Sequence, residues 1–204
     1  MIEVAISAFV TMFVIVDPIG LAPLFVALTR GRSQAERRRI GLRASLIALG
    51  LLTLFGLAGE SLLAVIGIGM PAFRISGGLL LFMIAAEMLF ERRSQRREQT
   101  VEDRPDPSVF PLATPLIAGP AALTSMILLT GQQSGNLAGI VVVHLVVAGV
   151  VASAFALFLM GGVIERILGS TGTAVIHRLL GILLAALSVQ FIIDGLHDLG
   201  LQGL

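Results

Sequence analysis

Asp17 stands inside an apolar run, FVIVDPIGLAPLF (residues 13 to 25), with Pro18, Gly20 and Pro23 beside it. A carboxylate in that setting can do two kinds of work. It can cap a helix that begins at Pro18, because aspartate is a favoured N-cap residue and proline suits the first helical position. It can also meet an ammonium group or carry a proton, because an ionisable residue at mid-membrane depth is costly and generally faces an interior path. A second stretch, LATPLIAGPAALT (residues 112 to 124), again sets two prolines five residues apart with a glycine between them: Pro115, Gly119 and Pro120. Thr114 precedes Pro115 as Asp17 precedes Pro18, so the same capping argument applies.

A proline inside a helix removes an amide donor and clashes with an upstream carbonyl, which lipid cannot relieve. Taken alone, either break reads as a packing kink. Together, in corresponding spans, they predict two half-helices whose N-termini begin near the bilayer midplane. The amides around Ile19 to Leu21 and around Ala121 to Leu123 would then offer positive partial charge to a carboxylate, with Asp17 as the complement for an ammonium group. A small zwitterion satisfies both. The candidate substrate-binding residues are therefore Asp17, Pro18, Ile19, Gly20 and Pro23 from the first break, and Thr114, Pro115, Gly119, Pro120 and Ala121 from the second.

The elements that must position these residues are membrane helices. The chain of 204 residues is 56% hydrophobic and 13% charged, with a mean hydropathy of +0.97, which is far too apolar for a soluble domain. Six stretches are long enough to span about 30 Å of hydrocarbon as helices: 3–29, 44–69, 71–90, 109–131, 137–160 and 174–196. They lack the alternation of barrel strands and leave no room for a soluble domain, so the expectation is one all-α transmembrane domain over 1–204. The opening MIEVAISAFV has no basic region and no cleavage pattern, and it reads as part of the first span. There are fourteen arginines and no lysine. Arg30, Arg32, Arg37, Arg38, Arg39 and Arg43 fill the first loop, Arg92, Arg93, Arg96, Arg97 and Arg104 the third, and Arg166 the fifth, so the positive-inside rule puts both termini outside. Topology already explains these runs, and nucleic acid is not an expected partner.

Six spans divide into a first repeat, 1–102, and a second, 103–204, of opposite orientation, because three spans is an odd number. PIGLAP (18–23) pairs with PLIAGP (115–120), and GLLLFMIAAEMLFE (78–91) with GILLAALSVQFIID (181–194). The offsets are 97 and 103 residues, so the reading places about six extra residues in the fifth loop, 161–173. Glu60 in span two, and Glu87 with its counterpart Gln190, are candidates for coupling or gating. Glu87 can equally pair with Arg92 or Arg93. His144, His177 and His197 lack neighbouring carboxylates at ligand spacing, so no metal site is expected, and no other cofactor is implied. No HExxH, nucleophile elbow or phosphate loop is present, and catalysis is not expected.

VDPIGLAPLF, FRISGGLLL, PLATPLIAGPAALTSMILL and LSVQFIIDGL together resemble the MarC family of bacterial and archaeal inner-membrane proteins over essentially the whole chain. That family looks like a branch of the LysE-type exporter superfamily, and some members are assigned as small neutral amino acid transporters. The resemblance implies a multi-pass protein of the cytoplasmic membrane whose two breaks form the functional centre. Where many relatives look like Gly-Pro-Gly, this chain reads Gly119-Pro120-Ala121, which implies a different substrate size or geometry. The expectation is a secondary transporter, exporting a small neutral amino acid by alternating access, with the proton as a candidate coupling ion and lipid as the other partner. A non-transporting membrane scaffold or regulator, or a channel, is the alternative. Oligomeric state is not legible.

Overall fold

The computed structural model describes residues 1–90 and 106–200, and at 161–168 and 170 it describes the backbone alone. Helices α1 (Ile2–Val16) and α2 (Pro18–Leu28) meet at Asp17. They are followed by α3 (Gln34–Val65), α4 (Met70–Leu89), α5 (Ser108–Ile117), α6 (Pro120–Gly131) and α7 (Leu137–Asp198). Five helical stretches are long and apolar enough to cross a membrane, and α5 with α6, bent by 54° at their junction, makes a sixth if the pair counts as one span. The chain is thus an all-helical membrane protein, with no strand among the described residues.

Two expected loops are helix instead. The first narrows to Thr29–Ser33, since Ser33 caps α3 in a reciprocal capping box with Glu36, and Arg37, Arg38, Arg39 and Arg43 ride on the helix that follows. At 32 residues α3 is about 48 Å long and outreaches the hydrocarbon core, so its arginine-bearing first turns extend beyond it. The expected fifth loop, 161–173, is helical backbone turned at Gly169 (φ 58°, ψ −177°), which divides α7 into two apolar arms, Leu137–Met160 and Thr171–Asp198. The third-loop arginines Arg92, Arg93, Arg96, Arg97 and Arg104 lie outside the described residues, as does Glu91.

Within the spans most side chains are apolar on every face, and small residues mark where helices come closest. On α4 the buried face is Gly77, Gly78, Leu81, Ala85 and Met88, while Leu79, Phe82 and Met83 point outward, as lipid-facing residues do. Small residues let backbones approach. A Cβ on Gly78 would lie 2.6 Å from Ile192 Cγ1 and 2.7 Å from the Ser188 carbonyl, and one on Gly181 would lie 3.1 Å from Met88 Cβ and 3.3 Å from the Ala85 carbonyl. These contacts run α4 antiparallel along the C-terminal arm of α7. On the other side, Gly56 meets Met126 and Gly77 meets Thr124, so α6 packs on both α3 and α4. Phe25 stacks on Phe158 with ring centroids 4.5 Å apart, and the Arg37 guanidinium lies 5.8 Å over the Phe25 ring, joining α2, α3 and α7.

Ion pairs tie the helix ends. Arg74 on α4 reaches Asp198 at the end of α7 at 2.6 Å, and Arg43 on α3 reaches Asp106, just ahead of α5. The Ser108 hydroxyl beside it and the Ser108 amide, which donates to Oδ1 at 3.0 Å, hold the Asp106 carboxyl below the usual carboxylate range, and Arg43 adds to the effect.

Candidate functional site

Asp17 is the joint between α1 and α2. Its backbone is left-handed (φ 54°, ψ 63°), a conformation that costs most L-residues about 1–2 kcal/mol and that aspartate adopts more readily than most. The Asp17 amide donates to the Phe13 carbonyl at 2.9 Å and closes α1, while its carbonyl accepts from the Leu21 amide at 3.0 Å and opens α2. The side chain completes the joint, with Oδ1 accepting from the Gly20 amide at 3.1 Å. Pro18 follows at the first helical position. Pro23, one turn further on, has no N–H to offer the Ile19 carbonyl.

Capping engages one carboxylate oxygen, and the other is aimed elsewhere. Oδ2 lies 3.3 Å from Nε2 of His177 on the C-terminal arm of α7, with Asp17 1% and His177 11% exposed. Gly20 makes this approach possible, because a Cβ there would fall on both Asp17 Oδ2 and His177 Nε2 and lie 2.8 Å from His177 Cε1. A carboxylate this deeply buried is tolerable only with hydrogen bonds and a partner, and here both come from named groups.

The second break is built differently, and it corrects the expected cap. Thr114 is extended (φ −133°, ψ 124°), as an N-cap residue is, but the helical turn after it ends at Ile117 and is not continuous with α6. In this segment the amides of Leu112 and Ala118 reach back five residues, to the carbonyls of Pro107 at 3.1 Å and Ala113 at 2.8 Å. The helix starts five residues later, with Gly119 as N-cap and Pro120 first. No side chain caps α6, and a Cβ on Gly119 would fall on the Pro115 carbonyl oxygen, so this position has room only for glycine. Gly119 and Ala121 are buried, Thr114 is half-buried, and Pro115 and Pro120 are exposed.

The expected amide donors shrink accordingly. Gly20 donates to the Asp17 carboxylate and Leu21 to the Asp17 carbonyl, while Leu123 donates to the Gly119 carbonyl at 3.0 Å. Ala121 and Ala122 form the first turn of α6, the end that no side chain closes. Of the remaining candidates, Glu60 is exposed near the end of α3, and Gln190 is exposed and donates to Asp194 Oδ1 at 2.7 Å. Gln190 lies about 20 Å along the helix from His177. Glu87 is half-buried on α4, in the turn that faces Gly181. Among the described residues, no group of three or more acidic or histidine side chains gathers as a metal site.

His177 is the residue that sequence reasoning missed, because the histidines were weighed only as metal ligands and none has a carboxylate nearby in sequence. One signal was available: it follows Arg74, the isolated cation of the first half, by 103 residues, the same interval that relates Gly78 to Gly181.

Residues 2–199 match the model of the family described as MarC family integral membrane protein. The chain belongs to the MarC family. A UPF0056 membrane protein of Aquifex aeolicus is 35% identical over 95% of this chain and 92% of its own length. The UPF0056 inner membrane protein YhgN of Escherichia coli K12 is 34% identical over 94% of this chain and 95% of its own. A UPF0056 membrane protein of Archaeoglobus fulgidus is 36% identical over 94% and 92%, respectively. No solved structure matches the chain. This MarC-family chain is thus a multi-pass integral membrane protein, and its helix joint carries a buried carboxylate facing a histidine from a distant part of the sequence.

Proposed function

We propose that this MarC-family protein is a secondary transporter that exports small neutral amino acids by alternating access around the joints at Asp17 and Gly119. One observation carries this reading: Asp17, near the middle of the Ile2–Leu28 span and 1% exposed, faces a side chain of the opposite half of the chain. Capping by Oδ1 accounts for one oxygen of this carboxylate, and an ionisable residue at this depth generally marks an interior path.

Helix landmarks support two inverted repeats as the scaffold. Pro120, first residue of α6, follows Pro18, first residue of α2, by 102 residues. The N-cap Asn136 follows the N-cap Ser33 by 103, and Gly169 follows Gly67, both at positive φ, by 102. Gly181 follows Gly78 by 103, and the contacts there are reciprocal: Gly78 meets Ser188 and Ile192, while Gly181 meets their counterparts Ala85 and Leu89. Such mutual exchange is what a two-fold relation produces. The interval is constant, so no insertion in the second half is needed, and the proline motifs pair with a slip of about five residues.

In this scheme Asp17 Oδ2 receives the ammonium group of the substrate, and the uncapped first turn of α6, at Ala121 and Ala122, receives its carboxylate. Both termini lie outside, with the arginines of α3 at the cytoplasmic face. The test is flux of labelled alanine and glycine in proteoliposomes for wild type, Asp17→Asn and Pro18→Ala. Loss of flux in Asp17→Asn supports the site. If no amino acid in a broad panel moves, or if both variants match wild type, the reading is wrong.

A further inference from the structure

We propose that Thr11 and Ser125 line the outer leg of the substrate path, where their hydroxyls take up the hydrogen bonds of the amino acid as it passes between the helix joints and the outer face. This rests on the transporter reading above and adds two residues to its path.

Hydroxyls buried among these helices commonly bond to their own backbone. Thr29 donates to the Phe25 carbonyl at 2.7 Å, Thr130 to that of Met126 at 2.9 Å, and Ser188 to that of Ala185 at 2.7 Å. Thr11 and Ser125 do not. Both residues are 0% exposed, and neither hydroxyl reaches a hydrogen-bond partner within the protein. A carbonyl of its own helix lies one turn back from each, at Ser7 or Ala8 and at Ala121 or Ala122, so both hydroxyls are turned away from the nearest acceptor. A buried hydroxyl in this state costs free energy, which a passing donor or acceptor restores.

Their positions give the direction. Thr11 lies six residues before the Asp17 joint and Ser125 six residues after the Gly119 joint, a rise of about 9 Å in each case. With the termini outside, α1 comes in from the outer face and α6 returns to it, so both hydroxyls stand on the outer side of the joints at similar depth. On α6, Thr124 and Leu128 face Gly77 of α4, while Met126 and Ile127 face Gly56 and Gly59 of α3. Ser125 shares the remaining buried face with Ala121, Ala122 and Leu129, and α1 also packs on α6. Helical side chains lean toward the N-terminus, so the Ser125 hydroxyl leans over the first turn of α6, the end that no side chain closes. A hydroxyl both donates and accepts, so the two residues can serve a carboxylate and an ammonium group in turn.

Because the chain has no cysteine, single-cysteine variants read water access at chosen positions. Thr11→Cys and Ser125→Cys in proteoliposomes are treated with a charged methanethiosulfonate, which attacks the thiolate that forms in water. Both are expected to react at least about tenfold faster than Phe9→Cys on the exposed side of α1, and more slowly once alanine is saturating. In parallel, Thr11→Val and Ser125→Ala remove the hydroxyls with little change of shape. Each should slow alanine flux several-fold yet melt no lower than wild type without amino acid, because no bond within the protein is lost. Cysteines that react no faster than Phe9→Cys, labelling that alanine does not slow, or wild-type flux in Thr11→Val and Ser125→Ala overturns this inference and leaves the transporter reading intact as long as wild type moves alanine. A lower melt in those two variants, the sign of a structural role, also overturns it. Wild type that moves no amino acid of a broad panel overturns both. Should a cysteine variant fail to fold, the flux and melt of Thr11→Val and Ser125→Ala decide.

Discussion

Replacing Gly20 with alanine tests the geometry of the site directly, because helix propensity and packing pull in opposite directions there. Alanine is favoured over glycine inside a helix by about 0.8–1 kcal/mol. At Gly20 the added carbon would collide with Asp17 Oδ2 and His177 Nε2, and overpacking of this kind costs about 1–3 kcal/mol. The net expectation is a loss of up to about 2 kcal/mol. Gly50 on α3 is the matched control, since a Cβ there meets nothing within 4 Å, and Gly50→Ala should gain up to about 1 kcal/mol. At about 2–4 °C per kcal/mol for a chain of this size, the two variants should melt several degrees apart, with Gly20→Ala the lower. The chain has no Trp, Tyr or Cys, so melting is followed by far-ultraviolet circular dichroism in detergent rather than by intrinsic fluorescence or thiol dyes. Gly20→Ala melting level with Gly50→Ala would refute the placement of His177 over Gly20.

Three further outcomes follow from the same contacts. Asp17→Asn keeps a residue that tolerates the left-handed joint and caps α2, whereas Asp17→Ala loses both; thermal melts should put alanine about 1–3 kcal/mol below asparagine, while both lose flux. Gly119→Ala drives a carbon into the Pro115 carbonyl, and because backbone yields less than a side chain it should destabilise more than Gly20→Ala, as read by the same melts. Asp106 has its folded pKa held below the unfolded value, so its stabilising contribution is present above about pH 4 and is lost as pH falls through the lower folded value. The melting difference between wild type and Asp106→Asn should be small at neutral pH, because Arg43 and Asp106 are both exposed, and should close under acid.

The spans and the first joint were legible because their causes are local. Apolar length marks the helices, and Asp17-Pro18 is a cap followed by a residue suited to the first turn. The second joint offered two starts of the same local kind, Thr114-Pro115 and Gly119-Pro120, and only the second opens the longer helix α6. The first and fifth loops were drawn too long because helices were ended where their apolar runs ended. Arg37 to Arg43 instead ride on α3, where the capping box at Ser33 sets the boundary. His177 was missed because its partner is distant in sequence and the pairing depends on an absent side chain at Gly20.

Under the proposed repeat, the helix starts imply a chemical difference between the two halves. When helix starts are matched, Asp17 corresponds to Gly119, and Arg74 to His177. The scaffold is then alike in both halves while its chemistry is not. One helix start carries a carboxylate, and the other is closed by no side chain and presents the positive end of its dipole. A strictly repeated site would offer both ends of a ligand the same charge. Substituting glycine for the capping aspartate in one half makes the two joints complementary, which suits a molecule that is cationic at one end and anionic at the other. The same asymmetry separates the two matched residues on α4 and α7. His177 has Asp17 to face, whereas Arg74 has Gly119 as the counterpart of that residue and pairs instead with Asp198 at the end of α7.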